Sequence, residues 1–471
     1  MNMVRTLRVA SLLVLLLGTS GIATSAAQEA PTCNGKAATA TQAGPEGEIF
    51  GTGDDDVIVG TPGNDKIYGF GGNDTICGEG GIDSLHGNED DDYLDGGPDF
   101  DEVRYDGAHN GVKVDLEGLG GSNAEGEGED TIVNVEGILG SSFDDTLRGD
   151  AGDNSITGLE GDDVVFGRGG RDVLHGADGA DILSPGEGDG DVVTGGEGDD
   201  TVSYRGALDS VVVNLNEGTA TGGWGADSFS NLDIENVAGS DRPDILTGST
   251  GPNFLYGYKG EDTLYGGTPD SPINDNDVLL GGGDDDLMFG GNGNDAIDGG
   301  PNTKSGDTAS YEDAQGDVTA KLTTGVAEPD GWGQKDTLTD VENLTGSFGT
   351  VNFTGDNGSN RLILCNEEDT ANGMGGDDVI RGGLSKDVIE GGDGNDRIYG
   401  EAGNDVLTGG ANNDVLWGGA SNDHLIGNGG ADDEAIGGTD VDYCDAESER
   451  GCEKGPNQDR APTARWPLTP L

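Results

Sequence analysis

Across residues 391–419, GGDGNDRIYGEAGNDVLTGGANNDVLWGG, a carboxylate returns at every ninth position, as Asp396, Asp405 and Asp414. Gly391, Gly394, Gly400 and Gly403 hold the first and fourth places of two of these nonads. An ionised Asp offers two acceptor oxygens and a full negative charge. A glycine adds a main-chain carbonyl that neighbours can approach closely, because it has no Cβ. Repeated in phase, these are the ingredients of oxygen-only cation coordination. The phase runs through four blocks. Residues 51–104 carry Asp56, Asp65, Asp74, Asp83, Asp92 and Asp101 in sixth places. Residues 140–203 carry Asp145, Asp163, Asp172, Asp181 and Asp200, and residues 239–310 carry Asp244, Asp262, Asp286 and Asp295. Residues 346–445 are degenerate over 346–372, then regular through Asp378, Asp387, Asp396, Asp405, Asp414 and Asp423.

Something must hold these groups in line. Two places after each Asp stands an aliphatic residue, such as Ile58, Leu85, Ile398 or Leu407. Three residues such as Arg397-Ile398-Tyr399 are too short for a helical turn and suit a short strand, its central side chain facing one way. The six before them are rich in Gly, Asn and Asp, which tolerate tight and left-handed turns. Two nonads make a rung of turn, strand, turn, strand. Stacked rungs pair their strands in parallel, align the aliphatic residues into a thin core, and set Asp378 beside Asp396 and Asp387 beside Asp405. The expected fold is therefore all-β, a parallel β-solenoid.

Composition makes a counterion necessary. The 471 residues include 92 glycines and carry a formal net charge of −69. That charge repels nucleic acid and anionic lipid, and for so polar a chain it favours disorder over folding. A dication between stacked carboxylates reverses the repulsion. Ca²⁺ accepts six to eight oxygens in a forgiving geometry, whereas Mg²⁺ holds its water and Zn²⁺ prefers His or Cys. Calcium is the expected cofactor.

The pattern G-G-x-G-x-D-x-U-x, with U a large aliphatic residue, resembles the RTX or hemolysin-type calcium-binding nonapeptide repeat. The resemblance covers most of residues 51–445. It implies a right-handed parallel β-roll with each Ca²⁺ held between one turn and the turn two nonads later, by the sixth-place Asp and by glycine carbonyls. It implies on the order of a dozen ions. Asn154, Asn253, Val351 and Asn360 depart from the pattern in sixth places, residues 364–372 (LCNEEDTAN) lack both the leading Gly and the aliphatic, and weak or absent binding is expected there. Five cysteines in an exported chain suggest disulfides with one thiol left over. Cys444 and Cys452 could close a C-terminal cap. Cys33 and Cys77 could tie the lead-in to the first block, a pairing that similar secreted RTX chains also suggest. Cys365 is the expected odd thiol.

Three longer segments at 105–139, 204–238 and 311–345 resemble one another, opening with Tyr105, Tyr204 and Tyr311. They are expected to form wider, calcium-free rungs. The first 27 residues carry Arg5 and Arg8, a short apolar run and small residues at Ser25-Ala26-Ala27, the pattern of a cleaved secretory signal. Residues 28–50 form a lead-in and 446–471 a cap and tail. No later segment is apolar enough to span a membrane. No HExxH or GxSxG motif is present, and the four histidines are scattered. The expectation is a secreted, non-enzymatic calcium-binding scaffold whose extracellular or cell-surface partner is a protein or polysaccharide. The alternative is a polysaccharide-acting enzyme with its site on the longer segments around Trp224 and Trp332.

Overall fold

The computed structural model describes residues 31–39, 42–43, 47–118, 124–125, 128–230, 233–267, 275–302 and 304–452. The N-terminal residues expected to form a secretory signal and the residues after Cys452 lie outside them. Among the described residues the chain is all β, with no helix. Its strands form two facing parallel sheets, and each strand pairs with the one a full turn away. On one face Val379–Leu384, Arg397–Ala402 and Val415–Ala420 run side by side; on the other Val388–Asp393, Val406–Ala411 and His424–Gly429 do. The register puts each eighth-place residue on its equal: Ile380 pairs with Ile398 and Leu416, Ile389 with Leu407 and Leu425. These side chains are wholly buried and make a core only one residue deep per face. The solenoid predicted from the nine-residue phase is the fold.

The strands of the regular block are longer than the sequence suggests. Val406–Ala411 has six residues rather than three, because pairing continues through the first three places of the next nonad. The chain then turns by alternating handedness. Most second places are left-handed, including non-glycine residues such as Phe70 (φ 79°), Arg168 (76°) and Met374 (74°). Such a conformation costs an L-residue about 1–2 kcal/mol, so the stacked rungs must hold it in place. The fourth place is the tighter constraint. Gly394 has φ 148°, and a Cβ there would overlap the carbonyl of Gly376 one turn below.

The three longer segments are not single wide rungs. The second and third each enter as a three-stranded antiparallel meander whose outer strands run parallel to the solenoid, and the first enters with a two-stranded antiparallel hairpin. Val211–Asn214, Thr219–Gly222 and Gly225–Phe229 pair antiparallel; Gly225–Phe229 then joins Val192–Glu197, and Val211–Asn214 joins Ile245–Thr247. Val318–Lys321, Val326–Asp330 and Asp336–Thr339 repeat this on the other face. In the first segment Lys113–Asp115 pairs with Ala124–Glu125 and Thr146–Arg148, and Thr131–Val133 with Tyr93–Asp95. Meanwhile the opposite face advances by one strand: Glu102–Arg104 pairs directly with Gly137–Leu139, Thr201–Ser203 with Asn236–Ala238, and Thr308–Ser310 with Asn343–Thr345. One face thus gains roughly 10 Å of sheet that the other lacks. The alternation in "SVVVNL" does mark a strand, but strands of a hairpin and of a rung share that pattern.

Tyr105, Tyr204 and Tyr311 anchor these insertions in the core. The Tyr105 and Tyr204 hydroxyls donate to Asp130 and Asp227 at 2.9 Å. Trp224 and Trp332 are half-buried and pack against the core edge. Cys33 is bonded to Cys77 and Cys444 to Cys452, leaving Cys365 as the free thiol.

Because the core is one side chain deep, a cavity there has few neighbours to collapse into it. Leu407→Ala should lower the stability of the calcium-saturated chain by about 2–5 kcal/mol in chemical denaturation, while Thr408→Ala, one place on, should change it by less than about 0.5 kcal/mol.

Candidate metal centres

The sixth-place carboxylates point into the turns and stack in two columns, one per edge. Each uses Oδ1 to accept the main-chain N–H of the sixth residue one turn earlier. Asp378 donates to Asp396 at 2.8 Å and Asp396 to Asp414 at 2.9 Å; Asp387 donates to Asp405 and Asp405 to Asp423, both at 2.9 Å. The other blocks repeat the bond, as from Asp56 to Asp74 (2.8 Å), Asp145 to Asp163 (2.7 Å) and Asp244 to Asp262 (2.7 Å). The pairs expected from the 18-residue rung are therefore in contact.

The second oxygen divides the aspartates into two groups. In Asp56, Asp65, Asp145 and Asp244, Oδ2 accepts the N–H of the second-place residue of the same nonad, Thr52, Thr61, Ser141 or Ser240, at 2.5–2.7 Å. The hydroxyl of each also donates to the carboxylate. Asn154, Asn253 and Asn360 accept in the same way from Asp150, Ser249 and Asp356. Their Nδ2 groups donate to the carbonyls of Glu136, Glu235 and Glu342. In Asp74, Asp83, Asp92, Asp101, Asp163, Asp172, Asp181, Asp200, Asp262, Asp286, Asp295 and every sixth-place Asp from Asp378 to Asp423, Oδ2 is buried with no hydrogen bond.

Backbone handedness decides which group an Asp joins. Ahead of the orphaned oxygens the second place is left-handed, as at Tyr258 (φ 79°) and Glu401 (71°). The N–H there turns to the next rung, as Gly282 does in donating to Gly299. Thr52 and Ser141, which lie outside the left-handed region, instead turn their N–H back onto their own Asp. Most self-capped nonads form the first turn of a block, with no repeat turn beneath them, so an ion shared between turns lacks half its cage. Asp369, in the degenerate second turn of the fourth block, is capped in the same way by the Cys365 N–H at 3.2 Å. The asparagines at which weak binding was expected fall in these first turns. Asp56, Asp65, Asp145 and Asp244 fit the sixth-place pattern equally well; a Ser or Thr in the second place was the signal that sets them apart.

The orphaned positions suit a hard cation. A Cβ on Gly391 would strike Asp396 Oδ2 and lie 2.6 Å from the Gly409 carbonyl; one on Gly400 would strike Asp405 Oδ2 and lie 2.7 Å from the Gly418 carbonyl. Carboxylate and carbonyl oxygens thus converge where a methyl group cannot fit. Gly394 and Gly403 mark close contact between turns. Among the described residues no cluster of three His, Cys, Asp or Glu side chains could hold a metal alone, so an ion here must draw on main-chain carbonyls. Calcium accepts such a mixed oxygen set.

Electrostatics adds the demand. Burial, and then the neighbouring carboxylates, push Asp92, Asp163, Asp286 and Asp378 up to about 8 against an ordinary 3.8, even though a main-chain N–H bond pulls the other way. Asp172, Asp200 and Asp414 are raised to about 7 and Asp74 to about 6 by the same causes. A dication stabilises the ionised form and reverses that shift.

Loops hide several members of the columns from a fixed phase. Asp191, Asp277 and Asp307 accept from Asp172, Asn253 and Asp286 at 2.7–2.8 Å across loops that lengthen the spacing. Asp433 and Asp442 accept from Asp414 and Asp423. Across the meanders Asp130 and Asp336 accept from Asp92 and Asp295 at 3.0 Å. On the other edge a Glu takes over: Glu136, Glu235 and Glu342 accept from Asp101, Asp200 and Asp307 at 2.8–3.0 Å. Their shared setting, in NVEG, DIEN and DVEN, was visible in the sequence.

A parallel β-solenoid with buried, oxygen-only sites stacked along both edges is a cation-binding repeat protein. The model of the RTX calcium-binding nonapeptide repeat matches residues 50–85, 78–103, 139–174, 160–191, 186–206, 239–268, 273–302, 366–398 and 399–434, together more than half of the chain. The chain belongs to this family. The matches lapse over the three meanders and the degenerate start of the fourth block. A comparison with curated proteins found no match.

Asp396→Asn should remove about 1.4 kcal/mol of calcium-linked stability at ten times Kd, whereas Asp145→Asn should leave the calcium linkage unchanged; denaturation at several fixed calcium concentrations separates the two. The raised pKa values give a second expectation. Folding the calcium-free chain above pH 8 requires burying ionised carboxylates that the unfolded chain keeps in water. As pH falls through 8 to 6 the folded state takes up protons while the unfolded acids, near 3.8, remain charged, and the penalty fades. Circular dichroism of the calcium-stripped chain should therefore show β-signal appearing on acidification from pH 8.5 toward 4.5.

Proposed function

We propose that this chain is exported and that calcium bound between its turns locks it into a stiff, non-catalytic extracellular scaffold for a protein or polysaccharide partner. The observation that carries the reading is the row of buried Oδ2 atoms without a hydrogen bond, opposite glycine carbonyls. Calcium is the ion proposed at each of them. An N-terminal segment patterned as a secretory signal supports export. Almost all of the described chain goes into the ladder and its three insertions, which supports a structural role over a catalytic one.

The mechanism is linkage. At ten times Kd each independent site adds about 1.4 kcal/mol, so about a dozen add on the order of 15 kcal/mol, comparable to the stability of an ordinary domain. Extracellular calcium modules bind with Kd near 10⁻⁴–10⁻³ M. Where calcium is scarce the acidic columns keep the chain open and exportable; where it is plentiful they close.

The test uses residues 28–471 stripped of calcium with EDTA. Far-UV circular dichroism and hydrodynamic radius, followed during a Ca²⁺ titration, should show a cooperative gain of β-signal with compaction, and Mg²⁺ should not reproduce it. A compact, fully structured chain in EDTA at pH 8 would sink the reading.

A further inference from the structure

On the second insertion two hollows meet at Arg205 and Gly206. One, of about 880 Å³, is lined by Arg205, Arg242, Tyr256 and Tyr258, with Lys259 and Asp241 as a mutually neutralising pair. The other, of about 480 Å³, runs past Trp224 and Phe166. In a chain with a net charge of −69 the cations are informative. Lys259 is paired with Asp241 at 2.6 Å, and Arg168 with Asp115 at 2.7 Å. Arg205 and Arg242 have no ion pair among the described residues. The Arg205 guanidinium instead lies 5.0 Å over the Tyr258 ring, and Arg242 is fixed through its Nε, which donates to the Leu208 carbonyl at 3.0 Å. Tyr258 is itself in the left-handed region (φ 79°), a costly place for an aromatic, with its ring centroid 3.8 Å from that of Tyr256. Two fixed guanidinium groups and half-exposed aromatic faces therefore converge on one open hollow.

We propose that this groove binds an acidic glycan, with the carboxylate of a uronic acid on Arg205 and Arg242, its ring against Tyr256 and Tyr258, and the adjoining neutral sugar over Trp224. The assignment rests on the calcium-locked scaffold described above, since the groove exists only when the rungs are stacked. Guanidinium groups recognise a carboxylate by charge-assisted, bidentate hydrogen bonds. The second hollow carries Glu117, Asp150 and Glu187 beside Arg168, whose charge is already met by Asp115 and Glu117, which suits hydroxyl groups better than a second carboxylate. An acidic peptide fits less well. Phe254–Lys259 is paired on both sides, with Asn236–Ala238 and Val278–Gly283, so no sheet edge is open for an added strand. A long polyanion would be repelled by the acidic columns on either side.

The test is calorimetric titration of the calcium-loaded full chain at fixed free calcium. The probes are a hyaluronan tetrasaccharide, the neutral chitotetraose and a short poly-glutamate peptide, with circular dichroism recorded on each sample. Saturable binding of the hyaluronan tetrasaccharide alone is expected, weakened by about tenfold or more in Arg205→Ala and in Arg242→Gln while the calcium-dependent β-signal is unchanged. Equal binding of chitotetraose or of the peptide, no binding by a folded chain, or unweakened binding in both folded variants overturns the proposal. A chain that stays unfolded in calcium overturns the scaffold reading as well, so the two failures are distinguishable.

Discussion

Carboxylates stacked one turn apart and shielded from water are the constraint that the rest of this structure answers. Each Oδ1 is useful to the bare polypeptide, because it satisfies a buried main-chain N–H of the turn below. Each Oδ2 is a liability, since an unpaired buried charge costs far more than the thin aliphatic core returns. The two oxygens of one side chain thus tie the rungs together and hold them apart. A hard dication resolves the conflict without altering the ladder. That division accounts for the repeat: the aliphatic place sets the register, the glycines admit oxygens, and the Asp brings the carboxylate for which the proposed ion is needed.

The insertions follow the same logic. At each insertion the sheet on one face keeps its pairing while the other takes in added strands, three of them in the second and third, and the acid columns still close. Glu136, Glu235 and Glu342 satisfy the last Asp N–H below, their longer side chains replacing an Asp where the rung is rebuilt. One turn later Asn154, Asn253 and Asn360 return an amide hydrogen to those same glutamates. Block boundaries are thereby finished in hydrogen bonds, while block interiors are left to the ion.

Much of this was legible because it is periodic. The sixth-place Asp and eighth-place aliphatic phases carry the fold, the rung length and the contacts of Asp378 with Asp396. The cysteine pairing was also legible, because three of the five lie near the ends of the repeat array. What escaped is what the phase does not encode. Handedness at the second place is not periodic: Thr52 and Phe70 share a place in the nonad, and only the hydroxyl residue at the first marks the capped turn. The columns continue through Asp191, Asp277 and Asp307 at altered spacings, which a fixed period of nine passes over. The meanders were misread as rungs because Val211 and Val213 alternate as solenoid strands do, and only pairing partners distinguish the two.

The asparagines bear on why the interior keeps aspartate at all. Asn154 preserves the ladder bond from its own N–H to Asp172 and supplies a donor through Nδ2, so it removes the buried charge with no ion. A column of Asn would then be satisfied by the polypeptide alone, and the solenoid would fold wherever it was made. Three Asn in first turns show that the fold accommodates the amide. The Asp columns are therefore not a requirement of the β-solenoid as a shape. In the function proposed above they are what makes its stability depend on the concentration of a cation, and the self-capped nonads stand largely outside that dependence.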